Sequence, residues 1–455
     1  MLALGLLLLA AHGVGYLFRR LRQPPVIGEI VGGLLLGPTV LGAFAPAVQA
    51  RLFPASGTTA PVLGAVYQLG LILLMFTAGA EIRSMFDRRA RRTAAFVAVV
   101  GTAIPFACGL VAFQALHPGA IEGSAHNRTA LLLVFGIALA VTSIPVISRI
   151  MLDLGVLESG FARIVLSVAV IEDVVLYVVL AIALGLVTRG HGDDFGLPAV
   201  LGLEPGSAPG AVYHVVATVG FLVLFRTLGP RFFQAAMRTR FNLVHRGSAI
   251  GFQLAFVLTA TWACMLLGVT PLFGALVAGM VVATVGPDCA PAREAIKEFS
   301  LAFFVPVYFA IVGLRLDLLH DLRPLFFLGF LVFACVAKSV SVYAGSRLAG
   351  ERPPAARHLS IAMNARGGPG IVLASVALDA RIINAQFYAS LVLLAIATSL
   401  LAGYSLQRAV RRSGALSTGS EAGLIDTDAE VPRLLDRGPL PRNLGPAAAS
   451  SEVRA

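Results

Sequence analysis

The sequence predicts an all-α polytopic membrane protein of about 13 transmembrane helices, built as two inverted six-helix repeats joined by a linker helix, with crossed broken helices. Three observations predict it. Of the 455 residues, 57% are apolar and only 13% are Asp, Glu, Lys or Arg, about half the roughly 25% charge of a soluble domain. Apolar runs long enough to cross a bilayer recur from Met1 to the arginines after Leu406. Two of those runs are interrupted near their middles, in matching places of the two halves. A soluble fold could not cover its surface with so few charges. The runs are unbroken rather than alternating, which disfavours a β-barrel.

The segments, in order, are roughly 2–18, 25–44, 62–82, 94–116, 129–151, 162–188, 211–227, 248–267, 271–286, 299–315, 324–349, 357–379 and 387–408. The first has the length of a signal peptide. It lacks a basic leader, and Arg19, Arg20 and Arg22 follow it, so it reads as a retained helix with its N-terminus outside. Basic residues then alternate between loops. Arg83, Arg88, Arg89, Arg91 and Arg92, then Arg231, Arg238, Arg240 and Arg246, then Arg293, Lys297, Arg352 and Arg357 fall on the side of Arg19. The other side has mostly single arginines: Arg51, Arg128, Arg189, Arg323 and Arg381. This asymmetry puts the first set, and the C-terminus, in the cytoplasm, with the chain in the inner (cytoplasmic) membrane. It also explains the net charge of +11 without a nucleic-acid partner.

Residues 413–455 are rich in Ala, Gly, Pro and Ser and lack apolar periodicity, which predicts a disordered cytoplasmic tail. The chain has no GxGxxG and no βαβ pattern, so no nucleotide-binding domain is expected. Four scattered cysteines show neither CxxC nor zinc spacing, and the eight histidines form no metal cluster.

The fifth segment contains ALAVTSIPVISRI (138–150), interrupted by Thr142, Ser143 and Pro145. The twelfth contains IAMNARGGPGIVLAS (361–375), where Gly367, Gly368, Pro369 and Gly370 break a helix. With segment seven as linker, each break occupies the fifth helix of a six-helix half, and the halves have opposite topology. Simple kinks are the bland alternative. Paired interrupted helices in inverted halves point instead to a transport site, where unwound backbone lines a polar path.

Charge appears at the same depth. Glu172 and Asp173 lie about ten residues, roughly 15 Å, into segment six. Lys338 is one of only two lysines against 33 arginines, and it sits at similar depth in segment eleven, near the level of Thr142 and Arg366. Each such charge costs about 2.5–3.5 kcal/mol to insert. Apolar residues would cost less, so a purely structural ion pair is a poor reason for the set. Adjacent helical residues point about 100° apart. One acid can therefore face Lys338 while the other faces the broken helices. A carboxylate beside unwound carbonyls and the Thr142 or Ser143 hydroxyl is a hard oxygen site for an alkali cation, and a proton can occupy the same oxygens.

The chain resembles the monovalent cation:proton antiporters of the second branch, the Kef-like and NapA-like sodium/proton exchangers. The resemblance rests on QPPVIGEIVGGLLLGPTVLG (23–42), LGLILLMFTAGAEI (69–82), ALAVTSIPVISRIMLDLG (138–155), the Glu172-Asp173 pair, FFVPVYFAIVGLRLDL (303–318) and NARGGPGIVLASVALD (364–379). It implies that Asp173 is the main ion-binding carboxylate, and that Glu172 stands for the first acid of an Asp-Asp pair. Lys338 stands for the lysine that pairs with that acid. Thr142 and Ser143, with Pro145, lie at the first crossover, and Asn364 and Arg366 at the second. The implied activity is exchange of Na+ (or Li+, K+) for H+ with no cofactor, with Na+ held at Asp173, Glu172 and Thr142. The implied assembly is a homodimer in membrane lipid, working as an elevator, electrogenic like most members with paired acids. The implied domains are dimerisation helices 1–3 (1–92), core helices 4–6 (93–190), linker helix 7 with its loops (191–247), dimerisation helices 8–10 (248–318) and core helices 11–13 (319–412). Glu172 departs from the usual Asp. A K+ channel would need a TVGYG-type filter that is absent, and an organic-substrate site would need more aromatic residues than Tyr177 and Tyr343. Glu29 and Glu81 lie near cytoplasmic helix ends as candidate funnel residues. Arg315 and Asp317 read as a local pair.

Overall fold

The computed structural model describes residues 1–21, 23–54, 59–81, 91–115, 119, 121–156, 159–187, 196–202, 208–239, 243–286 and 289–413. The tail expected over 413–455 therefore lies outside the described residues except for Ser413. So do the loop bases Arg22, Arg83, Arg88, Arg89, Arg189 and Arg240.

The first half comprises α1 (Leu2–Arg20), α2 (Pro25–Leu36), α3 (Pro46–Leu52), α4 (Thr59–Glu81), α5 (Arg91–Ala115), α6 (Arg128–Ala140), α7 (Ile144–Asp153) and α8 (Gly160–Gly185). A short α9 (Leu197–Val200) leads to the linker α10 (Ala208–Arg238) and α11 (Leu243–Gly247). The second half comprises α12 (Ala249–Leu266), α13 (Pro271–Thr284), α14 (Ala290–Phe299), α15 (Val305–Leu314), α16 (Pro324–Leu348), α17 (Pro353–Ala362), α18 (Gly368–Asp379) and α19 (Ala385–Ser413). Ten of the described helical stretches are long and apolar enough to cross a membrane, and Arg128–Ala140, Pro271–Thr284 and Gly368–Asp379 are shorter apolar helices.

In their described residues, all thirteen expected segments are helical apart from the breaks. The two interrupted ones split into α6/α7 and α17/α18. The tenth starts earlier than its apolar run, because the amphipathic α14 feeds through a π-helical turn (Ser300–Phe304) into α15. Local chemistry sets several starts. The Asn127, Ser159 and Ser248 side chains accept from the Ala130, Ala162 and Gly251 amides, capping α6, α8 and α12. Prolines open α2, α13, α16 and α17, where the missing N–H has no helical partner to lose.

The helices sort into two packed groups. In one, α4 packs on α13, α2 on α1 and α15, and α12 on α13. In the other, α5 packs on α16, α6 and α8, and α17 and α18 pack on α19. The linker α10 touches α13 and α8, one from each group. Small residues let backbones meet in the first group. A Cβ on Gly79 would run into the Leu276 carbonyl, and one on Gly279 into the Phe76 carbonyl. The same reciprocal arrangement joins Gly33 to Ala310 and Gly313 to Ile30. The α4–α13 and α2–α15 contacts are thus counterparts across the inverted halves. In the second group an isolated antiparallel bridge, Glu122 to Ile383, ties the loop before α6 to the loop before α19.

Candidate ion-binding site

The two broken helices meet at their breaks. After Ala140 the chain turns extended, with Val141 at φ −84° and ψ 143°, and resumes as α7 at Ile144. The Ser143 amide donates to the Ala365 carbonyl at 2.7 Å, and the Thr142 hydroxyl to the Met363 carbonyl at 2.6 Å. The first break therefore satisfies carbonyls of the non-helical stretch between α17 and α18. A Cβ on Gly367 would strike Val146 and Ser143, so the second break needs glycine there for the crossing to close. Pro145 falls in the first turn of α7, where proline breaks no helical hydrogen bond.

Glu172 and Lys338 meet beside this crossing. Lys338 Nζ lies 2.6 Å from Glu172 Oε1, and both side chains are 0% exposed. The ammonium also donates to the Gly101 carbonyl at 3.1 Å and to the Ala140 carbonyl. Its three protons thus have three acceptors. Ala140 ends α6, so the ammonium also meets the negative end of that half-helix. Arg366 meets the same end. Its Nη2 donates to the Leu139 carbonyl at 2.8 Å and to the Ala334 carbonyl at 3.0 Å, and its Nη1 to Asn364 Oδ1 at 3.4 Å. Asn364 Nδ2 in turn donates to Ser339 Oγ and the Ser360 carbonyl, both at 2.8 Å. The Ser399 hydroxyl donates to the Arg366 carbonyl. Two cations on one half-helix terminus offset both its dipole and the neighbouring carboxylates.

Three buried oxygens here have no hydrogen-bond partner: Ser143 Oγ, Glu172 Oε2 and Asp173 Oδ1. Asp173 is 3% exposed, follows Glu172 on α8, and has Glu172 and Glu81 as its electrostatic neighbours. Glu81 ends α4 and pairs with Lys297 at 3.1 Å. The two line a cleft of about 170 Å³ with Phe76, Thr77, Arg293 and Glu294. Thr142 borders the Glu172 carboxylate, but its one proton goes to Met363, leaving it only lone pairs to offer a cation. Glu29 lies apart, on α2 against Gly15 of α1.

One expected pairing is corrected. Arg315 does not pair with Asp317. It binds Asp379 Oδ1 at 2.7 Å, while Asp317 binds His320 at 2.8 Å. Tyr67 donates to Asp379 Oδ2 at 2.9 Å, and the Arg315 guanidinium stacks 4.5 Å from the Tyr67 ring. These contacts join α4 and the end of α15 to the end of α18, and so cross between the two helix groups. Sequence reasoning also missed Thr102, which donates to Glu172 Oε1 at 3.3 Å. Nothing in its apolar helix distinguishes it from a threonine in any membrane span.

Residues 6–412 match the family described as sodium/hydrogen exchanger, transmembrane. The Na(+)/H(+) antiporter NhaS4 of Synechocystis sp. is 30% identical over 403 residues, covering 86% of this chain and 92% of that protein. The K(+)/H(+) antiporter 1 of Saccharomyces cerevisiae is 29% identical over 406 residues, covering 87% of this chain and 44% of that protein. The Cation/H(+) antiporter 20 of Arabidopsis thaliana is 29% identical over 402 residues, covering 87% and 46%. The chain spans about half the length of these last two relatives. The solved structure of the sodium proton antiporter MjNhaP1 from Methanocaldococcus jannaschii superposes with a TM-score of 0.61 at 15% identity, covering 90% of this chain and 95% of that one. That likeness is one of fold. The chain belongs to the sodium/hydrogen exchanger family. It is a cation/proton antiporter, a transporter rather than an enzyme.

Proposed function

We propose that this protein exchanges Na+ for H+ at the crossing of the two broken helices. One observation carries the proposal. Two adjacent buried carboxylates and a crossover hydroxyl each keep an oxygen without a partner, in a region where an unmet polar atom costs about 1–3 kcal/mol. Ligands that come and go account for such oxygens. Asp173 is the exchanging group, because no ammonium neutralises it. It takes either a proton or, with Glu172 Oε2, Ser143 and Thr142, the cation. Lys338 holds the charge of Glu172, so that the pair can offer oxygen to the cation without adding an uncompensated anion. Arg366 and Asn364 hold the second break, and Pro145 starts the helix beyond the first. One carboxylate trading one proton for one Na+ moves no net charge, so electrogenic exchange needs a second proton per cation, which the Glu172–Lys338 pair is placed to carry. The relative NhaS4, a Na(+)/H(+) antiporter, supports the choice of Na+.

A second reading is K+/H+ exchange, favoured by the similarity to the yeast K(+)/H(+) antiporter 1. Both ions use oxygen ligands and differ in the cage size they need.

The two helix groups support an elevator. The group of α5–α8 and α16–α19 carries the site as the moving core. The group of α1–α4 and α12–α15 is the static, dimerising part, braced by its glycine contacts. The Tyr67–Asp379–Arg315 cluster holds the two together in the state seen, and it must release for the core to move. The basic loops support a reading in which the cleft at Glu81 opens to the cytoplasm and the N-terminus lies outside, in the inner membrane. Purified protein in liposomes tests the function. Na+ or K+ addition should drive proton movement, and clamping the membrane potential should change the rate.

A further inference from the structure

Helix α5 touches both members of the Glu172–Lys338 pair through two consecutive residues. The Gly101 carbonyl accepts from Lys338 Nζ at 3.1 Å, and the Thr102 hydroxyl donates to Glu172 Oε1 at 3.3 Å. Lys338 and Thr102 donate to the same oxygen, Oε1, while Thr142, which also borders the carboxylate, spends its proton on the Met363 carbonyl. The other Glu172 oxygen, Oε2, is buried with no partner.

That asymmetry needs a cause. The terminal torsion of a glutamate is broad and two-fold, so the side chain alone does not choose which oxygen faces the lysine. A single ammonium would tolerate a range of carboxylate tilts. A second donor from a different helix removes that freedom. Thr102, like Thr93 on the same helix, which donates to Glu351 Oε1 at 3.2 Å, spends its proton away from its own helix. Thr77, Thr227, Thr239, Thr259, Thr284 and Thr398 all return theirs to a carbonyl three or four residues back on their own helix. Such a bond is the default for a helical threonine. Thr102 instead reaches across to α8.

We propose that Thr102 is a positioning residue for ion binding: it clamps Glu172 Oε1 against Lys338 and so keeps Oε2 presented to the transported alkali cation. The proposal rests on the reading of Glu172 as a cation ligand. It also accounts for a glutamate at this position. The longer side chain has an extra torsion to fix, and the α5 contact fixes it.

The test is cation-driven proton flux in proteoliposomes of the full chain, titrated with Na+ and with K+, for Thr102→Val, Thr102→Ser and Asp173→Asn. Valine matches threonine in shape and sets a methyl where the hydroxyl faced Glu172 Oε1, while the rest of the side chain borders an apolar cleft of about 300 Å³ lined by Val99, Phe106, Ile137 and Ile171. Loss of a hydrogen bond to a charged group should raise the apparent KM for the preferred cation about tenfold in Thr102→Val, with maximal rate within about twofold. Thr102→Ser, which keeps the hydroxyl, should return KM to within about twofold of wild type. Thr102→Ala serves as a second probe should the valine variant not fold. A merely structural threonine would lower folded yield and leave KM unchanged in what folds, and that result overturns the proposal. So does a serine variant no better than valine. If Asp173→Asn still exchanges, the underlying site assignment fails. If Asp173→Asn is dead while Thr102→Val and Thr102→Ala bind cation like wild type, only the role of Thr102 falls.

Discussion

Lys338 Nζ contacts Glu172 Oε1 at 2.6 Å with neither side chain exposed, although the two residues are 166 apart in sequence. Breaking such a pair strands a charge, whereas replacing both partners by apolar groups does not. Lys338→Met should therefore lower stability by about 3–5 kcal/mol. The double variant Glu172→Leu/Lys338→Met should recover most of that loss while losing cation affinity. Thermal unfolding in detergent reads the first effect and flux the second. A Lys338→Met protein as stable as wild type would contradict the pairing.

Proton and cation are assigned to one carboxylate, Asp173, whose Oδ1 is buried without a partner. Competition for one site follows mass action. On the acid side of the profile, apparent KM for the cation should rise by about tenfold per pH unit, with maximal rate unchanged. Steady-state flux across pH and cation concentration measures this. A KM independent of pH would place proton and cation at separate sites.

The Arg315–Asp379 contact joins the helix groups proposed to move past each other. Both side chains are about a third exposed, so neutralising either should cost at most about 1 kcal/mol of stability. Covalent restraint should do far more. With the four native cysteines replaced and cysteines placed at 315 and 379, a short thiol crosslinker should arrest transport, and cleaving it should restore transport. Full transport by the crosslinked protein would exclude relative movement of the groups.

Gly79 and Gly64 share helix α4 but differ in surroundings. A Cβ on Gly79 would meet the Leu276 carbonyl, whereas one on Gly64 meets nothing within 4 Å. Gly79→Ala should push α4 off α13 and cost about 1–3 kcal/mol or more. Gly64→Ala should be neutral or slightly stabilising, because alanine is the better helix former. Melting temperatures of the two variants separate packing from helix propensity.

Much of this fold is legible in the chain because a bilayer simplifies the code. A helix must be apolar for its whole crossing, so each span stands out. Breaks stand out because Gly and Pro are the residues that make them, as at Gly367 to Gly370. Glu172 and Lys338 are visible because charge inside an apolar run has a large cost and lysine is otherwise almost unused. What stays hidden depends on lateral packing. Thr102 looks like any small residue of a membrane helix until α5 is set against α8. Arg315 has Asp317 two residues away, yet its partner Asp379 is 64 residues distant. Sequence proximity favours the local pair. The helical end at Arg315 (φ −82°, ψ −10°) and the end of α18, which brings Asp379 to it, decide otherwise. Thr142 was legible as a crossover hydroxyl, but not that its proton would go to Met363.

Everything proposed here turns on Asp173 exchanging a cation for a proton. The most direct measurement is Na+-induced proton movement in proteoliposomes containing wild-type protein or Asp173→Asn, over a range of pH and with K+ and Li+ in parallel. Wild type should exchange with at least one alkali cation, and Asp173→Asn with none of them, although that variant folds and keeps the Glu172–Lys338 pair. Exchange that survives Asp173→Asn, or a wild-type protein that moves no protons with any alkali cation, would contradict this role of Asp173.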